Sequence, residues 1–246
     1  MYQNPVSFDL SMASYYIGLS LVSNKDSKTR IPRNLLSGEG RRILSEFEGR
    51  VLETEDIAKE ENGRPFFPGR ETDFSISHSG CLVAVSLVRG ENLRTGCDVE
   101  LVRPRPRMGE IAEAFFSPAE RAYIGSPDDR QSKETRFFQI WTLKECFLKL
   151  RRLSIFDITQ VPSFVRGKDR EHFFCYDYAE PVSSPLSFTL FELAGPTERY
   201  ILSTVVEGPG EFPPEIRWFS QSVLACRSIA EINAALSPAE TVSPKI

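Results

Sequence analysis

The sequence is poor in the residues that build thiolate metal sites and disulfide scaffolds. It has five cysteines, an odd number, and no two of them are spaced as CxxC. We therefore expect neither a zinc ribbon nor a disulfide framework. We expect the cysteines to be reduced thiols. Long apolar runs are also missing, since Tyr15–Val22 is far shorter than the roughly 20 residues that a membrane span needs. No lysine or arginine precedes Lys25, so no secretory signal is expected and we predict a cytoplasmic protein without membrane association.

The chain also lacks an excess of charge of either sign. Its 30 Lys and Arg stand against 34 Asp and Glu, which gives a net charge of −4 at pH 7. This balance argues against a nucleic-acid partner held by overall charge, so an anionic ligand requires a local basic cluster. Hydrophobic residues at 41% and charged residues at 26% are typical of a globular chain. The length of 246 residues suffices for one large domain or two lobes.

The order of the predicted elements indicates two α+β lobes. The prolines of Arg103–Arg107 interrupt regular structure, and we interpret this segment as the boundary between lobes 1–104 and 105–246. In the first lobe the patterns predict strands at 13–22, 74–77, 81–88 and 96–102, the last two as a hairpin, and a helix at 41–48. In the second they predict helices at 109–116, after Ser117 and at 133–150, strands at 156–165, 173–178, 186–193 and 200–206, and an irregular tail with a short helix at 222–236.

The first string with chemical potential is Phe74–Gly80, which reads FSISHSG. Alternation along a strand puts Ser75 and Ser77 on one face, and His78 follows at the strand's end. Two hydroxyls, an imidazole and a glycine that lets a ligand approach the backbone suit an oxyanion such as phosphate. Taken alone, turn hydrogen bonds and a structural histidine explain the string at least as well.

The second string is Gly96–Glu100, which reads GCDVE. Asp98 and Glu100 are two residues apart, so on a strand both carboxylates point to the same face and repel each other unless a cation lies between them. A hard divalent cation such as Mg²⁺ takes one or two carboxylates together with phosphate oxygens and water. An exposed acidic edge strand is the alternative.

The third string is the helical run 137–149, in which Phe137, Ile140, Trp141 and Leu148 form an apolar stripe. Glu145 and Lys149 are four residues apart and share a face. They are either a surface ion pair or a metal ligand or base with a lysine that neutralises phosphate.

Together these strings resemble the 4′-phosphopantetheinyl transferase superfamily, in its longer, monomeric, surfactin-type branch. That family has a GxDxE strand followed by an FxxxWxxKExxxK helix. The corresponding residues here are Gly96, Asp98 and Glu100, then Phe137, Trp141, Lys144, Glu145 and Lys149. Gly63-Arg64-Pro65, Ile76–Gly80 and the FFSPAE segment Phe115–Glu120 match as well. The likeness covers residues 60–165 best, and the tail carries no motif.

The resemblance implies an α+β fold of two similar lobes related by a pseudo-twofold axis, with coenzyme A bound in the cleft between them. The implied reaction moves the 4′-phosphopantetheine arm of coenzyme A to a serine of an apo acyl or peptidyl carrier protein. The implied metal is Mg²⁺, with Mn²⁺ as the alternative. One chain with both lobes need not oligomerise, so a monomer is expected.

The resemblance also implies a role for each matching residue. Asp98, Glu100 and Glu145 would hold the metal, and Glu145, or a water that it orients, would take the serine proton. The remaining assignments concern coenzyme A: Lys144 and Lys149 at the pyrophosphate, Ser77 and His78 at phosphate oxygens, and Arg41 and Arg64, with Lys25 or Lys28, at the 3′-phosphate. Glu120 stands where the family has a glutamate near the metal, although a helix-capping role explains it almost as well.

Two departures from the family pattern stand out. Leu150-Arg151-Arg152-Leu153 replaces a glycine-containing turn, and this more basic rim is expected to change how an acidic carrier docks. Cys97 stands at a usually aliphatic position and is expected to act as a small hydrophobe, while His172 is expected to be structural. A Mg²⁺-dependent nucleotide pyrophosphate hydrolase and a non-catalytic relative that binds coenzyme A or a carrier remain alternatives.

Overall fold

Two four-stranded sheets pack face to face, and each carries a helix on its outer side. The computed structural model describes residues 13–22, 31–61, 63–126, 129–166, 173–176, 185–208, 213–220 and 224–234. The helices are α1 Arg33–Glu48, α2 Met108–Phe115, α3 Pro118–Gly125 and α4 Arg130–Arg151. The strands are β1 Ser14–Leu21, β2 Ala58–Lys59, β3 Pro65–Phe66, β4 Thr72–Ser79, β5 Leu82–Arg89, β6 Arg94–Leu101, β7 Ser163–Arg166, β8 Phe173–Tyr176, β9 Leu186–Ala194, β10 Arg199–Glu207, β11 Glu215–Trp218 and β12 Ala225–Ala234. The prediction of a mixed α+β fold is confirmed.

The first sheet has the strand order β11-β1-β5-β4, and the second has the order β12-β9-β10-β6. Only the β1–β11 pair within these two sheets is parallel. Two-residue alternation divides each strand between two cores. In β5, Val83, Val85 and Leu87 face α1, while Leu82 and Ala84 face the second sheet.

Helix α1 packs on the outer face of the first sheet through its stripe of Leu36, Ile43, Leu44 and Phe47. Helix α4 packs on the outer face of the second sheet, where its aromatic residues meet Phe188 and Ile201. Full burial of each such side chain contributes about 1.5–3 kcal/mol relative to an exposed one, so both helices are fixed on their sheets. In the described ranges, no helix combines the length and the apolar character of a transmembrane span.

The edges of the two sheets meet where β4 runs beside β6. The strands belong to different sheets, and side chains join them at every second residue. The contacts, each 22 residues apart in sequence, are Thr95 N to Asp73 Oδ2 (2.9 Å), Cys97 Sγ to Ser75 O (3.2 Å), Val99 N to Ser77 Oγ (3.2 Å) and Leu101 N to Ser79 Oγ (3.1 Å). We call this row of contacts the β4–β6 seam.

Three predicted elements are wrong. β5 forms its hairpin with β4, through the turn at Gly80, while β6 crosses to the second sheet and pairs with β10. The predicted helix at 222–236 is strand β12, whose register shift between Ser228 and Ala230 interrupts the two-residue alternation. The predicted strand at 156–165 begins as a 3-10 helix, Ile155–Gln160, and only β7 is extended.

Strand pairing crosses residue 104 twice. β6 pairs with β10 of the later part of the chain, and β11 pairs with β1. The lobe boundary at 104 stays a prediction, and the sheets themselves draw strands from both sides of it.

Candidate active site

The candidate site lies where α4 crosses β6. Cys97 and Val99 are buried between the sheets, so Asp98 and Glu100 point the other way, towards α4. Gly96 makes this crossing close: a Cβ there would lie 2.2 Å from the Cys146 carbonyl oxygen. The prediction that both carboxylates share one face is confirmed.

Asp98 is the centre of the site. The carboxylate oxygen Oδ1 accepts hydrogen bonds from Lys149 Nζ (2.7 Å) and from Ser77 Oγ (2.8 Å). Lys149 Nζ also donates to the Cys97 carbonyl oxygen at 3.0 Å. The other oxygen, Asp98 Oδ2, is buried and has no hydrogen-bond partner among the described residues. A buried carboxylate oxygen without a donor is costly, and its presence indicates a place for a cation.

Glu100 is held by the seam in the same way as Asp98. Ser79 Oγ donates a hydrogen bond to Glu100 Oε2 at 2.7 Å and accepts one from the backbone amide of Leu101. Burial raises the pKa of Glu100, the Ser79 hydrogen bond opposes this, and the Asp98 charge adds to the increase. Each carboxylate of β6 therefore has one oxygen oriented by a serine of β4.

Glu145 approaches the same site from α4. Burial raises its pKa to about 7, and the charge of Asp98 adds to the increase. Lys149 and Arg105 lower the pKa of Glu145, and the charge of Glu100 raises it further. Burial alone would lower the pKa of Lys149, but Asp98 and its other acidic neighbours raise it overall.

These oxygen donors fit a hard divalent cation that a substrate helps to hold. Among the described residues, no three Asp, Glu, His or Cys side chains converge into a complete metal site. Mg²⁺ usually binds through one or two carboxylates plus water and substrate phosphates, so a complete protein cage is not required. The unpartnered Asp98 Oδ2 and the neighbouring Glu100 and Glu145 are the oxygens that could contribute.

A cavity of about 300 Å³ opens beside Lys149 and is lined also by Gly63, Arg64, Ser75 and Arg152. Arg64 is fixed at its rim: it forms an ion pair with Asp73 (2.8 Å) and donates to the Phe74 and Thr95 carbonyl oxygens. We call this space the Lys149-side cavity. Its cations make it suitable for a phosphorylated ligand.

His78 and Arg41 lie on the other side of β4. Alternation turns His78 away from Ser77 and onto the face of Ile76, and it is half-buried. A Cβ at Gly40 of α1 would lie 2.8 Å from Ile76, so α1, including Arg41, is close to this face. Lys25, Lys28 and His172 lie outside the described residues.

The similarity to known proteins agrees with this geometry. A family model described as the 4′-phosphopantetheinyl transferase superfamily matches residues 94–204, which include Asp98, Glu145 and Lys149. The 4′-phosphopantetheinyl transferase AcpT of Salmonella typhimurium is 33% identical over 158 residues, 61% of this chain and 80% of that protein. The chain belongs to the 4′-phosphopantetheinyl transferase superfamily.

Other 4′-phosphopantetheinyl transferases match over shorter stretches. HetI of a Nostoc species is 34% identical over 120 residues, 45% of this chain and 48% of its own length. The psf-1 protein of Bacillus pumilus is 34% identical over 122 residues, 48% and 49% of the two chains. The resemblance to this transferase family is thus confirmed, while the surfactin-type branch stays a prediction. The family uses coenzyme A as substrate and typically a divalent metal.

Lys144, which lies on the same helix as Glu145, does not point towards Asp98 and Glu100. Its Nζ forms a buried ion pair with Glu120 Oε1 (3.1 Å) and donates to the Pro162 carbonyl oxygen (3.3 Å). Glu120 also accepts the Ser117 and Phe164 amides, each at 2.7 Å, and caps α3 together with Ser117. This geometry directs Lys144 into the core beside Glu120, and its pyrophosphate contact stays a prediction; Glu120 has the capping role.

Two residues of the site were not singled out from the sequence. Ser79 continues the two-residue period of Ser75 and Ser77, so the sequence pattern does indicate that its side chain lies on the same face of β4 as theirs. No sequence pattern indicates a role for Arg105, because it lies in the proline-interrupted segment. In the structure its guanidinium is 4.5 Å from the ring centroid of Trp141 on α4.

Proposed function

We propose that this chain transfers the 4′-phosphopantetheine arm of coenzyme A to a serine of an apo acyl or peptidyl carrier protein. The observation that carries the proposal is Asp98, with Lys149 on one carboxylate oxygen and, within the described part of the chain, no partner for the other, beside Glu100 and Glu145. Family membership supports it. In the reaction the serine oxygen bonds to the phosphorus that bears the pantetheine arm. The bond from that phosphorus to the bridging oxygen breaks, and adenosine 3′,5′-bisphosphate leaves with the electron pair.

Asp98, Glu100 and Glu145 are the residues that would hold Mg²⁺, or Mn²⁺ as the alternative. Once bound, such a cation neutralises charge on the pyrophosphate. The unpartnered Asp98 Oδ2 supports this assignment, because a cation would give that oxygen its missing partner. Ser77 and Ser79 keep the two strand carboxylates oriented towards α4.

Glu145 is our candidate for the group that accepts the serine proton, directly or through a water. Glu145 is buried in the same cluster as Asp98 and Lys149, so it lies among the groups that a reacting serine would meet. Lys149 carries a positive charge next to Asp98 and would stabilise charge on the leaving phosphate. Glu145 and Lys149 are therefore the proposed catalytic residues.

Coenzyme A would occupy the Lys149-side cavity with its nucleotide end. Its lining by Arg64, Arg152 and Lys149 supports this placement. Ser77 and His78 are proposed to contact phosphate oxygens, and Arg41 with Arg64 the 3′-phosphate. Because His78 and Arg41 lie on the other face of β4, the coenzyme would have to reach both faces of this strand. Because Arg64 is paired with Asp73, we expect its contribution to come through the part of its guanidinium fork that faces the cavity.

We further propose a monomer of two lobes, 1–104 and 105–246, related by a pseudo-twofold axis, in the cytoplasm and without nucleic-acid or membrane partners. The arrangement of α1 on one sheet and α4 on the other supports the twofold relation. The Asp98–Lys149 ion pair would then join residues of different lobes.

The test is to incubate the chain with Mg²⁺, coenzyme A and several apo carrier proteins and to weigh the carriers by mass spectrometry. A gain of roughly 340 Da, the mass of the added arm, is expected. Asp98→Ala and Glu145→Gln should abolish this gain and keep the far-ultraviolet circular dichroism spectrum, while the exposed control Glu113→Gln should retain it.

Two outcomes would contradict the proposal. Release of adenosine 3′,5′-bisphosphate from coenzyme A alone, at the same rate with and without carrier, would favour the hydrolase. Binding of coenzyme A with neither mass gain nor release across all carriers would favour the non-catalytic relative.

A further inference from the structure

An ion pair connects two of the segments that line the Lys149-side cavity. The lining comes from the turn between β2 and β3 at 63–65, from β4 at 74–76, and from the end of α4 at Lys149 and 152–154. Arg152 Nη1, in the last of these segments, lies 2.5 Å from Glu60 Oε1. The backbone amide of Glu60 closes the turn, because it donates to the Arg64 carbonyl oxygen at 2.9 Å. The ion pair therefore ties the turn to the end of the helix.

Arg152 has an unusual backbone conformation for an arginine. Its φ of 62° is in the left-handed region. Its amide donates to the Lys149 carbonyl oxygen (3.3 Å), and the Leu153 amide donates to the Leu148 carbonyl oxygen (2.9 Å). This pattern ends a helix with a left-handed residue that is most often glycine. A residue with a Cβ is strained there, so the side chain of Arg152 is the feature that needs an explanation.

The neighbouring Arg151 points elsewhere. Its Nη1 lies 2.8 Å from both carboxylate oxygens of Glu207 on β10, and both side chains are largely buried. Arg151 thus fixes α4 to its sheet and is not part of the cavity lining. Of these two consecutive arginines, Arg152 is the one whose side chain reaches the space for a ligand.

The other two cations of the described lining have partners that are held firmly. Arg64 is paired with Asp73, which also accepts a backbone amide of β6 at 2.9 Å. Lys149 is paired with Asp98, which also accepts a hydrogen bond from Ser77 Oγ at 2.8 Å. Both second donors belong to the β4–β6 seam. Neither carboxylate can leave its cation without a disturbance of the contact between the two sheets.

The ion pair of Arg152 is held less firmly. Within the described part of the chain, the carboxylate of Glu60 has Arg152 as its one donor. The Arg152 side chain is 39% exposed, against 10% for Arg64 and 30% for Lys149. Glu60 follows a strand of only two residues, so a rotation of its side chain breaks no contact of the large sheets. Partly exposed ion pairs contribute little free energy, so this pair can open when another anion approaches.

A phosphate group is a stronger ligand for Arg152 than the carboxylate of Glu60. It carries up to two negative charges and several acceptor oxygens, which match the donors of a guanidinium. A phosphorylated ligand in the Lys149-side cavity would also be repelled by Glu60 as long as this carboxylate stays close to Arg152. Both effects favour an exchange in which the phosphate takes the place of the carboxylate.

We propose that Arg152 is a phosphate-binding residue and that Glu60 is its internal competitor. Glu60 occupies Arg152 in the ligand-free chain and is exchanged for a phosphate oxygen of the nucleotide. This inference rests on the proposed function, which supplies the phosphorylated ligand. It gives Glu60 a role in setting the affinity, because each binding event must first open the ion pair and the returning carboxylate helps the nucleotide to leave.

The test measures the Kd of adenosine 3′,5′-bisphosphate by isothermal titration calorimetry in the presence of Mg²⁺. This probe has no pyrophosphate bond, so neither transfer nor hydrolysis of such a bond disturbs the titration. The variants are Glu60→Gln and Arg152→Gly, and the matched control is Glu61→Gln, at an exposed carboxylate of the same turn. Glycine suits a φ of 62°, so Arg152→Gly preserves the end of α4. Circular dichroism melts check that each variant folds.

The two partners of the ion pair should change the affinity in opposite directions. Glu60→Gln should lower Kd about two- to fivefold, because it removes the competing carboxylate. Arg152→Gly should raise Kd about fivefold or more, because it removes a charge-assisted hydrogen bond to phosphate. Glu61→Gln should leave Kd within about 1.5-fold of the parent, since its carboxylate is exposed to solvent.

Three outcomes would overturn the proposal. Weaker binding by both Glu60→Gln and Arg152→Gly would mean that the ion pair only supports the wall of the cavity. An equal change of Kd in Glu60→Gln and Glu61→Gln would mean that only the net charge of the turn matters. A parent chain that does not bind the bisphosphate would have no exchange at all.

Failure of the proposed function gives a different result. If the parent chain modifies no carrier and the two variants still shift Kd in opposite directions, the transferase assignment fails and the exchange stands. If carriers are modified and the opposite shifts are missing, the exchange fails and the transferase assignment stands.

Discussion

At the scale of single residues, Glu145 is a buried carboxyl group whose pKa differs between the folded and the unfolded chain. Its pKa is raised from 4.5 to about 7 by burial and by Asp98, so the folded chain holds this proton more tightly than the unfolded chain. For such a group, folding becomes less favourable as the pH rises from 4.5 to 7, and the cost is then constant above pH 7. Below pH 4.5 the carboxyl is protonated in both states and the cost disappears.

Glu145→Gln should therefore stabilise the metal-free protein at pH 8 while it removes transfer activity. We expect a gain of about 1–3 kcal/mol in the free energy of unfolding at pH 8, which shrinks as the pH falls from 7 to 4.5. Urea unfolding with a chelator at pH 5 and pH 8 measures it. The exposed Glu113→Gln should change stability by less than about 0.5 kcal/mol at either pH. A Glu145→Gln variant that is less stable than the parent at pH 8 would contradict this account of the site.

Residue spacing predicted part of this site and could not predict the rest. The period of two put Asp98 and Glu100 on one face, and the helical period put Glu145 and Lys149 together. Lys144 follows the same helix but turns to Glu120, 24 positions earlier in the chain, and nothing local in the sequence identifies that partner. Arg105 likewise depends on tertiary contact with Trp141.

At the scale of elements, the site depends on how closely α4 approaches β6. A Cβ on Gly96 would lie 2.2 Å from the Cys146 carbonyl oxygen and 3.0 Å from the Leu150 amide nitrogen. Both are backbone atoms of the helix, so a side-chain rotation cannot relieve the clash. The helix itself must move, and it carries Glu145 and Lys149.

Gly96→Ala should therefore reduce both stability and transfer. Overpacking of this kind costs about 1–3 kcal/mol, and a shift of α4 would lengthen the 2.7 Å contact between Lys149 and Asp98. Urea unfolding and the rate of transfer by the remaining folded protein are the measurements. In the control Gly109→Ala, nothing lies within 4 Å of the new Cβ. That helical substitution should be neutral or stabilise by up to about 1 kcal/mol, and equal behaviour of the two variants would refute the close crossing.

Element type was easier to predict than element pairing. Strands β5 and β6 were recognised from their composition, but alternation identifies the faces of a strand and says nothing about its neighbour. The short loop between β5 and β6 would allow these two strands to form a hairpin. β6 nevertheless lies in the other sheet. The sequence predicts a helix where β12 lies, because the register shift between Ser228 and Ala230 breaks the alternation that indicates a strand.

At the scale of the whole molecule, each sheet includes a strand from the far side of residue 104. β6 belongs with β9 and β10, and β11 belongs with β1. A fragment of residues 1–104 would lose the partner of β6, and a fragment of residues 105–246 would lose the partner of β11. The core between the sheets also takes residues from both parts, for example Ile17 and Leu202.

We expect neither fragment, expressed alone, to unfold cooperatively, because each exposes a large apolar face and an unpaired strand. The intact chain should unfold in one transition that is the same by tryptophan fluorescence and by circular dichroism. Mixing the two fragments should restore structure if the shared core drives association. A separate cooperative transition for residues 1–104 would show instead that the first lobe is an independent domain.

The β4–β6 seam has a direction. Each of Ser77 and Ser79 accepts a hydrogen bond from a backbone amide of β6 and donates its single hydroxyl hydrogen to a carboxylate. This polarity is complete only when the carboxylate oxygens that face the serines act as acceptors, because a protonated oxygen there would compete with the hydroxyl as a donor. The two serines that join the sheets therefore also orient the carboxylates of the proposed metal ligands, so a change at this junction would disturb both the packing of the sheets and the site.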